Sequence, residues 1–315
     1  MNGNLLKSCL VGTYFTKVRT HIYKNKVYAR KRRWMYDASF YEADESHERI
    51  FKLLTSDKPV MIARYGFTEI NIIGRYLTGG GYGRWGNYLY DTAGFFSKGA
   101  IRTDVDLNRF AQLMIADTGE LDLLGASYAM YEDYVFNHYC QNSEITEFDN
   151  LRVMVCDNSW GRALKGKKVL VIHPFSKSIE SQYKRRKQIW ANENILPEFE
   201  LITYKAIQTI AGNNTENYSD WFEALDIMKK DISKIDFDIA IIGCGAYGFP
   251  LAAECKRMGK KAIHLGGQVQ MMFGILGKRW EEIPYYQQFI NEYWVHPMEE
   301  EIPNNFKKVE GGCYW

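Results

Sequence analysis

Phe237-Asp-Ile-Ala-Ile-Ile-Gly-Cys-Gly-Ala-Tyr-Gly-Phe-Pro-Leu-Ala-Ala-Glu-Cys-Lys-Arg-Met-Gly-Lys-Lys-Ala-Ile-His-Leu-Gly266 reads as strand, tight glycine turn, helix and strand in immediate succession. Ile239, Ala240, Ile241 and Ile242 form an unbroken apolar run, the pattern of a parallel strand buried on both faces. Gly243, Gly245 and Gly248 follow with G-x-G-x-x-G spacing, and Pro250 falls where a first helical turn tolerates a missing N–H. Such a turn lets phosphate oxygens approach backbone amides at the positive end of a helix dipole. The same glycines also serve close packing of a helix on its strand. A dinucleotide site of this type takes an acidic residue about 20 positions on, at the end of the next strand, to hold a ribose hydroxyl. Here that strand, Ala262-Ile-His-Leu265, ends in Gly266-Gly267, with His264 the nearest polar residue. The turn therefore predicts a Rossmann-like layer and a phosphate site, and it disfavours NAD or S-adenosylmethionine.

Outward from this unit the same grammar recurs. Val60–Ala63 is a short buried strand, and Arg64-Tyr-Gly66 turns into a helix over Thr68–Leu77. Lys167–Ile172 is another strand, followed by His173-Pro-Phe-Ser-Lys-Ser178 and a helix over Ile179–Trp190; Leu201–Tyr204 is a strand and Tyr218–Ile235 a helix. Ala43–Ser56 and residues 104–117 read as further helices, the latter with Asp104 as N-cap. This alternation predicts an α/β fold: a Rossmann-like open, mainly parallel sheet with helices on both faces. Leu121–Asn158 shows no clear period. Thr78–Gly86 reads as a flexible glycine-rich binding loop or lid. No repeat or linker divides the chain, so the expected organisation is a basic arm over residues 1–42, one domain over 43–280, and an aromatic tail over 281–315 packing on it.

Among the 315 residues, 40 are Lys or Arg and 38 are Asp or Glu, so net charge says little about partners. Distribution says more. Residues 1–36 carry nine basic residues, Lys7, Lys17, Arg19, Lys24, Lys26, Arg30, Lys31, Arg32 and Arg33, and no acid, interleaved with apolar ones. That segment suits either an anionic membrane surface or a solvated arm. Its apolar run Cys9–Gly12 is too short for a membrane span. Six scattered cysteines without C-x-x-C pairs argue against zinc and disulfides and for a reduced, cytoplasmic protein, peripheral to the inner face of a membrane if the arm binds there. No basic stripe beyond the arm points to nucleic acid.

In an open parallel sheet, ligands bind beyond the carboxyl ends of the strands. Four strand ends carry candidate site residues: Arg64, Tyr65, Gly66, Thr68 and Glu69; His173, Ser176 and Ser178; Gly243, Gly245, Tyr247 and Gly248; and His264, Gly266, Gly267 and Gln268. Together they offer a cation and amides for phosphates, hydroxyls for a sugar, a carboxylate and two imidazoles. That set suits a nucleotide-diphosphate substrate. Each member also has a structural reading: Arg64 as half of an ion pair, Glu69 as a first-turn acid, the serines as N-caps and the histidines as hydrogen-bonded core.

Arg64 to Glu69 also resembles the first βα turn of GT-D type glycosyltransferases, whose signature is Arg-Phe-Gly-Asp-Gly-Glu. Arg64, Gly66 and Glu69 match, and Tyr65 stands for Phe. The likeness extends through His173-Pro-Phe, the Gly243–Pro250 turn, His264-Leu-Gly-Gly-Gln and Phe273–Trp280, covering roughly residues 45–280. It implies a glycosyltransferase taking a nucleotide-diphosphate sugar and passing the sugar to a glycan or lipid-linked acceptor of a bacterial surface polysaccharide or glycoprotein. Glu69 and His173 would be its catalytic residues and the other strand-end residues would bind the donor. One departure touches the metal. The family's Asp-x-Glu motif falls on Phe67-Thr-Glu69, one carboxylate and so a weak site; either Mn²⁺ or Mg²⁺ is held by Glu69 with help from elsewhere, or Arg64 and nearby bases neutralise the leaving group instead. Asp104-Val-Asp106 has the alternative Asp-x-Asp spacing but fits a helix cap better. A catalytically silent nucleotide-sugar-binding or scaffold protein is the alternative that Phe67 favours.

Overall fold

The computed structural model of the chain describes residues 3–13, 33–213 and 215–315. Its centre is one eight-stranded sheet in the order β1-β4-β3-β2-β8-β7-β5-β6. The strands are β1 (Phe40–Tyr41), β2 (Val60–Ala63), β3 (Leu123–Ala126), β4 (Glu144–Glu147), β5 (Lys168–His173), β6 (Glu200–Lys205), β7 (Ile239–Ile242) and β8 (Lys261–His264). Every ladder is parallel.

Successive side chains of a strand point to opposite faces, and here both faces are covered. Ile62, Leu123, Val169, Val171, Ile241 and Ile263 enter one core with Ile50, Leu54, Trp160, Ile179 and Phe273. Met61, Ala63, Leu124, Leu170, Ile172 and Ile242 enter another with Ile70, Ile73, Phe110, Met114, Trp221 and Leu251. Burial on both sides is why the central strands read as unbroken apolar runs.

Three strands escaped the sequence reading, for identifiable reasons. β1 has two residues. β3 is Leu-Leu-Gly-Ala, and its Gly125 is required because a Cβ there would lie 2.4 Å from Leu151 Cδ1. β4 is bracketed by acids held in ion pairs, Glu144 with Arg49 at 2.5 Å and Glu147 with Arg33 at 2.5 Å. The boundary expected at residue 42 also moves. Arg33 and β1 belong to the sheet assembly, and the helix Gly3–Thr13 packs on the helix Glu132–Tyr139. Lys17, Arg19, Lys24, Lys26, Arg30, Lys31 and Arg32 lie outside the described residues.

Local differences have plain causes. The glycine-rich stretch 78–86 is not a long loop: Thr78 ends one helix and Gly83 begins another, Gly83–Thr92. Gly86 sits inside that second helix because a Cβ would approach Leu107 to 3.0 Å. The N-cap of Asp104–Thr118 is Thr103, whose hydroxyl accepts the Asp106 amide at 3.2 Å and donates to the Asp106 carboxylate at 2.9 Å. That cap accounts for the Asp-x-Asp spacing. The predicted helix 179–190 divides into Ser176–Tyr183 and Arg186–Ile189. All six cysteines are free thiols, and among the described residues no helix is long and apolar enough to cross a membrane.

His47, buried behind the sheet, accepts the Trp160 amide on Nδ1 at 3.2 Å. Burial, reinforced by the Arg162 charge, pushes its pKa down to about 4. Below its ordinary value of 6.5 the unfolded chain therefore binds a proton that the folded chain refuses, so this contribution to stability is complete above pH 6.5 and is lost as pH falls toward 4. Asp117, pushed up to about 6 by burial with Arg257 opposing, works in the other sense at acid pH. Urea unfolding of a His47→Gln variant isolates the histidine. Its stability should decline less steeply than wild type between pH 6.5 and 4, by up to about 1.4 kcal/mol per pH unit. Parallel curves would show that His47 does not control the acid limb.

Candidate functional site

The helix after β5, Ser176–Tyr183, buries Ile179 on one face of the sheet on its way to β6, whereas the helix after β7, Gly248–Arg257, buries Leu251 on the other on its way to β8. Adjacent strands whose connections leave in opposite directions open a crevice at their carboxyl ends. A cleft of about 310 Å³ lies there, within the range of small-molecule sites. It gathers Arg64, Gly66, Thr68 and Glu69 after β2, His173 at the end of β5, Gly243, Gly245 and Tyr247 after β7, and His264, Gly266 and Gly267 at and beyond the end of β8.

Five of the sequence candidates do not line it. Tyr65 is buried, stacked on Phe249 at 4.8 Å, with its hydroxyl 2.8 Å from that of Thr118. Gly248 is a packing residue, since a Cβ there would lie 2.2 Å from His264 Cε1. Ser176 is buried in the first turn of its helix. Ser178 is bound to Glu301 of the tail: its hydroxyl donates to that carboxylate, which also accepts the Lys177 amide at 2.8 Å and the Ser178 amide at 3.1 Å. Glu301 thus satisfies the start of this helix from within the chain. Gln268 donates to Tyr286 at 3.2 Å, and Gln270, two residues on, faces the cleft instead. Tyr247 lines the wall but is almost wholly buried, stacked on Trp221 at 4.9 Å with its hydroxyl 2.9 Å from Thr209 Oγ1.

The glycine turn is shaped by contacts as well as by freedom. Gly245 has φ +61° and sits against the Ala93 carbonyl, which accepts the Ala246 amide at 3.2 Å. Gly243 is wedged so that a Cβ would lie 2.5 Å from the Gly266 carbonyl oxygen and 3.0 Å from His173 Cδ2.

Arg64 is the cation of the site. Its guanidinium lies 5.4 Å from the Phe148 ring centre and donates to the Tyr65 carbonyl at 2.9 Å. Gly266, at φ +58°, makes room for it, since a Cβ would lie 2.5 Å from Nη2. Among the described residues no carboxylate lies within 4.0 Å of Arg64, and its buried Nε has no partner. Glu69 lies in the first turn of Phe67–Thr78 and folds over Gly66, whose Cβ would meet its carboxylate at 1.8 Å. Burial raises the Glu69 pKa, against the opposing charge of Arg64.

The two imidazoles are neutral and of opposite tautomer. His173 accepts the Phe175 amide on Nδ1 at 3.0 Å, so its proton sits on Nε2 and it faces the cleft as a donor rather than a base. His264 donates from Nδ1 to the Ile242 carbonyl at 3.3 Å, leaving Nε2 as an acceptor. Burial pushes both down to about 3, with Arg64 adding to the effect at His264.

The individual residues of the far wall were not foreseen, although the aromatic tail was expected over the domain. Thr92–Gly94 and Ile207–Ile210 close one side, and Arg279, Glu310, Tyr314 and Trp315 close another. Arg279 pairs with Glu310 and donates to the Tyr314 hydroxyl at 3.1 Å; Gln270 donates to the Tyr314 carbonyl at 2.8 Å. The available signal was the tail's aromatic content and Arg279 within the Phe273–Trp280 motif. Beyond the wall where Thr209 donates to the Gly94 carbonyl lies a larger cavity of about 740 Å³, lined by Phe96, Lys98, Tyr218 and Lys308 among others.

No group of three or more His, Cys, Asp or Glu among the described residues is arranged to hold a metal ion. Glu69, a single carboxylate with Phe67 two positions before it, does not meet the oxygen-rich demand of Mg²⁺ or Mn²⁺. The chain matches no family model, and neither a curated protein nor a solved structure matches it.

Gly243→Ala tests that geometry. The new methyl has no relaxed position against the Gly266 carbonyl, so thermal or urea unfolding should show a loss of about 1–3 kcal/mol. A variant as stable as wild type would mean that the turn is looser than described.

Proposed function

We propose that the cleft binds a nucleoside-diphosphate sugar and that the protein is a glycosyltransferase of GT-D-like, Rossmann-like architecture, acting on a glycan or lipid-linked acceptor in surface polysaccharide or glycoprotein synthesis. The observation that carries this reading is Arg64: a guanidinium without a carboxylate partner, at the carboxyl edge of a parallel sheet, beside the start of the helix Phe67–Thr78 and the glycine turn at Gly243–Gly248. A half-buried cation and helix N-termini together favour an anion with several oxygens. The end of β8 offers His264 where a dinucleotide site would offer a ribose-binding acid, so NAD remains disfavoured.

In the transfer, the acceptor hydroxyl oxygen forms a bond to the anomeric carbon while the bond from that carbon to the diphosphate oxygen breaks, and the diphosphate leaves with the electron pair. Arg64 and the backbone amides neutralise it. In an inverting reaction the hydroxyl proton passes to Glu69, whose raised pKa strengthens it as a base. His173 Nε2–H serves as a donor to the donor substrate.

The second reading, binding without transfer, is favoured by Phe67, which is 53% exposed at the cleft where the family signature has an acid. A thermal-shift and turnover screen with a panel of nucleotide sugars, with and without Mn²⁺, separates the two. Stabilisation with sugar transfer or hydrolysis supports the enzyme, stabilisation alone supports the binding protein, and stabilisation by NAD alone overturns both. Arg64→Ala should weaken nucleoside-diphosphate binding about 10- to 100-fold. Glu69→Gln should keep binding but lose turnover, and with it a rising limb of the pH–rate profile that lies above the ordinary carboxylate range.

A further inference from the structure

Two arginines line the cleft, and the chain treats them differently. Arg64 forms no ion pair among the described residues, whereas Arg279 is paired with Glu310, itself a residue of the cleft wall. Both cations converge on one short stretch of backbone. A Cβ on Gly266 would lie 2.5 Å from Arg64 Nη2, and a Cβ on the next residue, Gly267, would lie 3.0 Å from Tyr314 Cε1. The Tyr314 hydroxyl in turn accepts from Arg279 Nη1 at 3.1 Å, and its ring centre lies 4.7 Å from the same guanidinium. Burial raises the Tyr314 pKa while the charges of Arg279 and Arg64 oppose the rise, so both guanidiniums act on one phenol.

The Arg279–Glu310 pair is weakly held. Its side chains are 33% and 51% exposed, so water screens their attraction. Glu310 also takes φ +46°, a left-handed backbone that is costly for a residue with a Cβ, directly ahead of Gly311 at +70° and Gly312 at +83°. That bend accompanies a carboxylate lying on Arg279, where it also accepts from Cys313 Sγ at 3.3 Å. Strain kept beside a ligand cleft is commonly part of how the site works.

A carboxylate on a guanidinium occupies the place a phosphate would take. A diphosphate carries more charge than the carboxylate, and its oxygens match the guanidinium fork. With one phosphate held at Arg64, the other is presented to Arg279 at high effective concentration.

We infer that Arg279 is a second phosphate-binding residue and that Glu310 holds the phosphate's place until a nucleoside diphosphate displaces it. The inference rests on the nucleoside-diphosphate reading of the cleft and adds selectivity to it. A single phosphate is satisfied at Arg64 and leaves the Arg279–Glu310 pair closed; only a second phosphate opens it.

Isothermal titration of the full chain with uridine, guanosine, adenosine and thymidine diphosphates, and with the matching monophosphates, tests it. Arg279→Gln should weaken the diphosphate that wild type binds by about tenfold and leave its monophosphate unchanged. Glu310→Gln should tighten the diphosphate about two- to fivefold. In the Arg279→Gln background the same change should do nothing, because no guanidinium is left to release. Equal tightening with and without Arg279 would make Glu310 a part of the general field only and would overturn the inference, as would equal weakening of di- and monophosphate by Arg279→Gln. Glu310→Gln alters a half-exposed side chain and carries the test alone if Arg279→Gln does not fold: an unchanged diphosphate affinity in it overturns the inference. When wild type binds a diphosphate, Arg64→Ala weakens it and these variants leave it unaltered, the inference falls and the reading of the cleft stands. When neither wild type nor Glu310→Gln binds any diphosphate, that reading falls and takes the inference with it.

Discussion

The ladder between β2 and β8 is the contact on which the molecule depends. It joins Val60 to Lys261, Met61 to Ala262 and Ile62 to Ile263, so the half of the sheet built from β1 to β4 is held to the half built from β5 to β8 by three parallel pairs. Reinforcement comes from Asp122, whose carboxylate accepts the Met61 amide at 2.7 Å and pairs with Lys256 at 2.8 Å, tying β2 to the helix that leads into β8. Without this seam Arg64 and the glycine turn would belong to separate bodies. With it, the end of β2 and the end of β8 are neighbours, which is why Gly266 must yield space to the Arg64 side chain.

The electrostatics of the cleft follow from how its neighbours are satisfied. Glu301 saturates the start of Ser176–Tyr183, and Glu310 neutralises Arg279, so two of the positive features near the cleft are answered within the chain. Arg64 is left as a cation beside a single buried carboxylate and two uncharged imidazoles. Neutral histidines of opposite tautomer give the wall one fixed donor and one fixed acceptor without adding charge. Such a wall offers hydrogen bonds without charge, while the charge of the site stays concentrated at one end.

The parts of this architecture that were legible in the sequence are those governed by burial on both faces of a strand. β2, β5, β7 and β8 announce themselves as apolar runs, and their polar strand ends converge on one cleft because parallel pairing gives them no other place to go. What remained illegible was set by partners distant in the chain. Nothing local in Ser178 shows that Glu301 will claim it, and nothing in His173 shows which nitrogen will meet the Phe175 amide. Gln268 and Gln270 are equivalent as residue types, and only the turn of a short helix decides that the second faces the cleft. β3 was hidden because Gly125, demanded by Leu151, interrupts its apolar pattern.

The cleft takes its walls from segments far apart in the chain: Arg64 to Glu69 on one side, Tyr314 and Trp315 on the other. A ribosome adding about 5–20 residues per second separates the emergence of these walls by roughly tens of seconds. During that interval β2 has been made but its partner β8 has not, and no enclosed site exists. The cleft is thus enclosed only once Tyr314 and Trp315 have joined the strand ends, and a chain clipped before them lacks that wall whatever else it has folded.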